Sequence, residues 1–376
     1  MTRVVLSPFN VLSYMKGAGH FWVYMQYLQG LARIGCRVQW LECIYRDVRP
    51  VEIDRYVRRL QTLGLETRPI VCRVTSSNAN PAEPRLTYIT MEESDARAML
   101  EGSDLLLNFN PWIAPDLLSR FRRTALVDID PGLHQVWLEQ GQIVSPPHDV
   151  YFTVGEEVPP TTDTEGRSRR WHSISPPVCL ENWRYSFNER SERFTTVTSW
   201  FGDYVTTSSS SFDNGKRISF LEFLELPQHT RQEFELAVGL KDVAPDRSLL
   251  ERNGWRVRDV AEVADTPDAY RAYIQTSRAE FSCAKPFVVR HGNGWVSDRS
   301  ACYLASGKPI VVQDTGPSTN LPTGEGVFRF STLAEAIDAV TEVNSHYRIH
   351  CEAARATAER YLDAGRVAET ILSVAL

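Results

Sequence analysis

RVVLS at 3–7, FWVYMQYLQGLARI at 21–34 and RVQWLE at 37–42 decide the fold class of this 376-residue chain. The first is a short β-branched run stopped by Pro8, the look of a buried first strand. The second places apolar residues at helical spacing until Gly35 stops it, and the third alternates as a second strand. Strand, helix, strand in that order is the βαβ unit of a parallel sheet. The scheme continues with a strand at 69–74, a helix at 91–100, and strands at 105–109, 124–129 and 150–154. Residues 1–155 therefore read as one Rossmann-like domain.

Residues 156–193 change character: Pro159, Pro160, Pro176 and Pro177 stand among Thr, Ser and Arg with little periodicity, as expected of an interdomain crossing. A second α/β series follows over 194–376. Strands are expected at 194–199, 234–239, 255–260, 280–283 and 309–313. Helices are expected at 217–226, 267–277, 297–306, 333–342, 347–360 and 365–374. The expected fold is thus α/β, with two Rossmann-like domains facing a cleft. Ligands on such sheets sit beyond the carboxyl ends of the strands, so the loops there should carry the function.

Composition excludes several alternatives. The chain is 43% hydrophobic and 23% charged, with 21 Gly and 21 Pro, which rules out a disordered or collagen-like chain. A net charge of −6 gives no bulk attraction to nucleic acid or to an anionic membrane. No run approaches the ~18–20 apolar residues of a spanning helix, and the start lacks the apolar core of a signal peptide. The seven cysteines are scattered without a C-x-x-C pair, arguing against a disulfide framework or zinc knuckle. These features predict a cytoplasmic protein.

Two loops carry the chemistry. Gly17-Ala18-Gly19-His20 lies between the first strand and the first helix, where glycines admit a ligand to the backbone. His20 there is a general base for a hydroxyl, or else a helix-capping or solvated residue. A histidine in place of a third glycine disfavours NAD or FAD. The second region spans 284–316 (AKPFVVRHGNGWVSDRSACYLASGKPIVVQDTG). Arg290-His291-Gly292-Asn293-Gly294 reads as a flexible, donor-rich loop suited to phosphate. Ser297 or Asp298 caps the following helix, and Gly307-Lys308-Pro309 ends it before a buried strand. Asp128-Ile129-Asp130 at a strand end is a possible divalent-cation site if Pro131-Gly132 turns the chain. His346 and His350 share a helix face but lack the glutamate of H-E-x-x-H.

The 284–316 region resembles glycosyltransferases of the GT-B fold, whose second domain carries a helix, Gly-x-Pro, an apolar strand and a polar loop. Those elements match residues 300–306, Gly307-Lys308-Pro309, 310–312 and Gln313-Asp314-Thr315-Gly316. His291 and Gly294-Trp295 resemble the elements with which members hold diphosphate and base. Gly17, Gly19 and His20 match a G-x-G-H loop whose histidine activates the acceptor. One departure is Cys302, where many members place a ribose-binding glutamate; Asp298, a turn earlier on the same face, is the substitute.

The resemblance implies a metal-independent transferase with no cofactor, moving sugar from a nucleoside-diphosphate sugar to a small-molecule or other hydroxyl or amine acceptor. His20 is its base, with Asp128 or Asp130 as partner. The donor falls to Trp200, Gly202, Lys216, Arg217, Arg290, His291, Asn293, Gly294, Trp295, Ser297, Asp298, Asp314 and Thr315. The acceptor falls to Gly17, Gly19 and Trp112, and the aromatic residues of 21–27 with the Pro111-Trp112 loop suggest an apolar or aromatic one. Ser208–Ser211 reads as a polar loop only. The competing expectations are a nucleotide-sugar epimerase or hydrolase of the same fold, and a non-catalytic sugar or nucleotide sensor.

Overall fold

The computed structural model describes residues 1–75, 84–163, 165–207, 210–239, 244–319 and 321–376; Ser208 and Ser209 of the polar run lie outside them. Strands β1 (Arg3–Ser7), β2 (Arg37–Ile44), β3 (Ile70–Thr75), β4 (Arg85–Tyr88), β5 (Leu105–Asn108), β6 (Thr124–Asp128) and β7 (Val150–Thr153) form the first sheet. After a small hairpin of β8 (Thr161–Thr162) and β9 (Ser168–Arg169), β10 (Trp171–Ser173) adds to its far edge. The order is β10-β7-β6-β5-β1-β2-β3-β4, parallel except for β3 with β4. Segment 156–193 therefore contributes a strand to the first sheet before it crosses.

The second sheet comprises β11 (Arg193–Thr198), β14 (Glu233–Val238), β15 (Arg256–Asp259), β16 (Ala279–Ser282), β17 (Ile310–Gln313) and β18 (Val327–Phe330). All its pairs are parallel, in the order β15-β14-β11-β16-β17-β18. Strands β12 (Tyr204–Thr206) and β13 (Ser211–Asp213) make a hairpin in the loop that follows β11. Chain order reverses between β1 and β5 in one sheet and between β11 and β16 in the other. The crevice beyond the carboxyl ends of those strands is where such sheets receive ligands.

The helix expected at 21–34 runs Ala18–Arg33, so Gly19 and His20 belong to its first turn. It is buried nearly all round, from Phe21 and Trp22 through Leu28 and Leu31, because both of its faces are covered. One lies on the first sheet; the other meets the helices Pro267–Thr276 and Ala364–Ala375. Gly30 makes the second contact possible, since a Cβ there would lie 2.3 Å from the Ala364 carbonyl oxygen. Arg33 pairs with Asp363 and with Glu181, and Trp22 Nε1 donates to Pro267 O at 2.9 Å. One apolar core accordingly runs from Val4 through this helix to Val367 and Ile371.

The crossing segment is tied down by the Gly-x-Pro turn. Lys308, fully buried, donates from Nζ to Ser186 O at 2.6 Å, and a Cβ at Gly307 would strike the Tyr185 ring. Among the described residues no helix is long and apolar enough to cross a membrane. All seven cysteines are unpaired.

Candidate functional site

The first-sheet side of the crevice is built by the loops after β1, β2 and β5. His20 Nε2 donates to Phe9 O at 2.7 Å, an atom that can only accept, so Nδ1 keeps the free lone pair. Burial lowers the His20 pKa, against the smaller opposing effect of the Phe9 bond, and holds the imidazole neutral near pH 7. The ring lies edge-on to Tyr24 and Tyr14, with centroids 5.1 and 5.9 Å away. His20 faces an open cleft of about 510 Å³ with Phe9, Asn10, Ser13 and Tyr14, and with Tyr45 and Arg46 beyond β2. Asn10, at φ 58°, is the one non-glycine residue with positive φ among those described, at the turn that carries the chain over this cleft.

Trp112 stands at the rim, its ring 5.2 Å from that of Phe9. An asparagine relay fixes it: Asn108 Oδ1 accepts the Asn110 N–H and Asn110 Oδ1 accepts the Trp112 N–H. Asn110 Nδ2 donates to the Tyr45 hydroxyl at 2.7 Å, which donates on to Trp112 O. Below the cleft, Glu42 is fully buried, accepting from Leu12 N, Trp40 Nε1 and Tyr56 OH. Burial pushes its carboxyl up to about 7.

The second-sheet side centres on Lys216, first residue of the helix Lys216–Glu222 and only 7% exposed. Among the described residues its ammonium has neither a hydrogen bond nor an ion pair. Burial, then the charges of Arg299 and Lys285, pull its pKa down to about 7, against Asp298 and Asp130. Arg299 is itself neutralised, its Nε 2.7 Å from Glu280 Oε1 and its Nη1 donating to Val197 O. Asp298 opens the helix Asp298–Ala305 behind Ser297, which caps it, and burial raises the Asp298 pKa. Lys285 Nζ reaches across the crevice to Asp130, 2.7 and 2.9 Å from its two oxygens.

His20 and Asp130 are not brought together: the imidazole is oriented by the Phe9 carbonyl, and Asp130 is held by Lys285. The D-x-D residues do not fit a divalent cation. Asp130 is paired with Lys285, and Asp128 accepts from Asp130 N, Gln135 Nε2 and Thr153 Oγ1, which occupies three of its four lone pairs, while burial raises it to about 6. The ligand atoms of Glu342, His346 and His350 do cluster. His350 Nδ1, however, accepts from Gly326 N, which leaves the proton on Nε2, the atom a metal would need.

Of the other expected donor residues, Trp200 is buried, stacked on Phe220 and bonded to Asp246, and so belongs to the core. Arg217 is held bidentate by the same Asp246, at 2.7 and 2.8 Å. Gly202 allows its loop to pass close to Asn214 O. Arg290 and His291 lie in the helix Pro286–His291, which ends at left-handed Gly292, rather than in a loop. Arg290 sits 4.1 Å over the Phe212 ring, and His291 stacks on Phe287 against Gly132 of the first domain.

Asn293 Nδ2 donates to Pro131 O across the domains, and the Gly294 and Thr315 backbones pair. Thr315 Oγ1 donates to the carbonyl of Trp295, itself half-buried, and Asp314 Oδ1 accepts from Gly316 N. Cys302 is buried against the Gln26 amide of the first domain. Gly17 makes room for the Tyr14 ring beside His20, whereas Gly19 packs towards Tyr270 of the second domain. Sequence reasoning missed Lys285, Tyr45 and Arg46; all three lie within three residues of a strand's carboxyl end, the position where such a signal belongs.

No protein-family model and no curated protein matches the chain. Solved structures do. An alpha-glucosyltransferase in complex with UDP matches at TM-score 0.59 and 10% identity, over 100% of this chain and 99% of that one. HepE from Anabaena, in complex with UDP and glucose, matches at TM-score 0.57 and 11% identity over the same shares. A glycosyltransferase from Rickettsia africae matches at 0.56 and 9%, over 99% and 97%. The fold is GT-B. In a GT-B frame the two crevice walls have distinct characters. The first-sheet wall is aromatic, with Arg46 at its mouth, while the second-sheet wall carries Lys216 and, beside it, Lys285.

Proposed function

We propose that the protein transfers a sugar from a nucleoside-diphosphate sugar, with uridine as the base, to a hydroxyl of a small molecule held on the first-sheet side of the crevice. The observation that carries this reading is Lys216 at the carboxyl edge of the second sheet, a residue only 7% exposed whose ammonium has no hydrogen bond or ion pair among the described residues. An uncompensated buried cation costs stability unless an anion completes it, and two GT-B neighbours were solved with UDP. Lys216 and Lys285 neutralise the departing diphosphate, the work a divalent ion does in other sites. That makes the reaction metal-independent and free of cofactor. Neutral His20, with its Nδ1 lone pair free and Phe9 O fixing the ring, takes the acceptor proton. Unpaired cysteines agree with a reducing, cytoplasmic setting.

The test is unfolding of the protein against UDP, dTDP, GDP and ADP, with and without manganese. A ligand at 100 times its Kd adds about 2.7 kcal/mol. The expected result is a manganese-independent shift by UDP that is absent in Lys216→Met. Stabilisation by none of the four would count against the reading. Rapid consumption of the UDP-sugar without an acceptor would replace transfer by epimerisation or hydrolysis.

A further inference from the structure

Tyr14 and Tyr45, 61% and 43% exposed, line the cleft beside His20, and Trp112, 43% exposed, borders it against Phe9 and Tyr45. Exposed rings on one concave wall are a platform for a flat apolar ligand. They are pre-set for it: Tyr45 is held by Asn110, and Trp112 by Asn110 and the Phe9 ring. The charge in the lining is equally one-sided. Among the described residues that line the cleft, Arg46 is the only ionised one and none is a carboxylate. Among the described residues its guanidinium donates to the Ser13 and Asp47 carbonyls, both at 3.3 Å, while the Asp47 carboxylate pairs with Arg73. Arg46 thus presents a positive fork at the mouth that makes no ion pair among the described residues, its charge being felt at longer range by Glu52.

A saccharide acceptor would instead call for carboxylates and amides spread around its several hydroxyls. Resting on the glycosyl-transfer reading, we propose that the acceptor is a planar aromatic molecule carrying one carboxylate and a hydroxyl. Its ring lies among Tyr14, Tyr45 and Trp112, its carboxylate meets Arg46, and its hydroxyl faces His20. On transfer the hydroxyl oxygen bonds to the anomeric carbon, its proton passes to His20 Nδ1, and the bond from that carbon to the nucleoside diphosphate breaks.

Calorimetric titration of the full chain with 4-hydroxycinnamate, with its neutral amide, and with cellobiose tests this, with UDP titrated in parallel. Binding of the acid about tenfold tighter than the amide is expected, as for one partly exposed charge-assisted contact. Arg46→Gln should erase that preference and leave UDP binding unchanged, and Trp112→Ala should weaken acid and amide alike. Equal binding of acid and amide, preference for cellobiose, or no saturable binding of the acid by protein that binds UDP would each overturn the proposal. Binding of the acid with charge preference by protein that binds no nucleoside diphosphate would uphold the cleft and remove the transfer reading.

Discussion

Replacing Lys216 by methionine should stabilise the ligand-free protein and at the same time remove its hold on a diphosphate. The side chain is 7% exposed and its ammonium unpaired, so the charge is carried in a poorly solvated place. A fall from 10.5 to about 7 in the folded state, at ~1.4 kcal/mol per tenfold change in proton affinity, puts the strain near 4 kcal/mol at pH 7. Relaxation and water penetration reduce that, so a gain of about 2–4 kcal/mol is expected from the methionine, which keeps the length of the chain. The sign with pH follows from linkage. Between about 7 and 10.5 the unfolded chain holds the Lys216 proton more than the folded one does, so wild-type stability rises with pH. The advantage of the variant should shrink over that window and vanish above it. Urea unfolding of both proteins at pH 7, 9 and 10.5, with and without UDP, reads all of this. A methionine variant less stable than wild type at pH 7, or one that UDP still stabilises, would refute the reasoning.

Three further outcomes follow from the same geometry. The acid limb of kcat/KM for the acceptor should titrate below 6.5, the direction in which burial moves His20, and His20→Gln should abolish that limb with a loss of about 10²–10⁴ in kcat; full turnover in the variant would remove the residue from catalysis. Asp130→Asn frees Lys285 and takes a negative charge from beside Lys216, so UDP should bind about 3–10 times more tightly; weaker binding by calorimetry would show Asp130 acting for the donor rather than competing with it. Gly30→Ala should cost about 1–3 kcal/mol through its clash with Ala364 O, against the ~1 kcal/mol gain expected in an unhindered helix; a higher urea midpoint would contradict the contact.

The parallel strands were legible because a strand buried on both faces must be a continuous apolar run, and β1, β5, β6 and β17 are such runs. The helix Pro50–Thr62 was not, since only Ile53, Tyr56 and Leu60 are buried in a segment crowded with charges. Long-range partners left no sequence signal. Trp200 reads as a stacking platform until Phe220 and Asp246 close over it, and the partner of His20 is a carbonyl, which no side chain announces. The His20 loop was readable because its glycines and histidine sit together, whereas the opposed Asp130 and Lys285 are 155 residues apart.

What singles out Lys216 is the contrast with the other buried charges of the molecule. Arg299 has Glu280, Arg169 has Asp163, and Lys308 has the Ser186 carbonyl. At each of these places the sequence supplies a partner for the buried charge. At Lys216 it supplies none, and the nearby carboxylate of Asp130 is taken by a second lysine instead. On the proposed reading, a cation left unpaired in that position destabilises the empty protein and is relieved by loss of its proton or by an anion entering between the domains. The same term that weakens the apo fold therefore strengthens binding, which is why stability and donor affinity should move in opposite directions when Lys216 is changed.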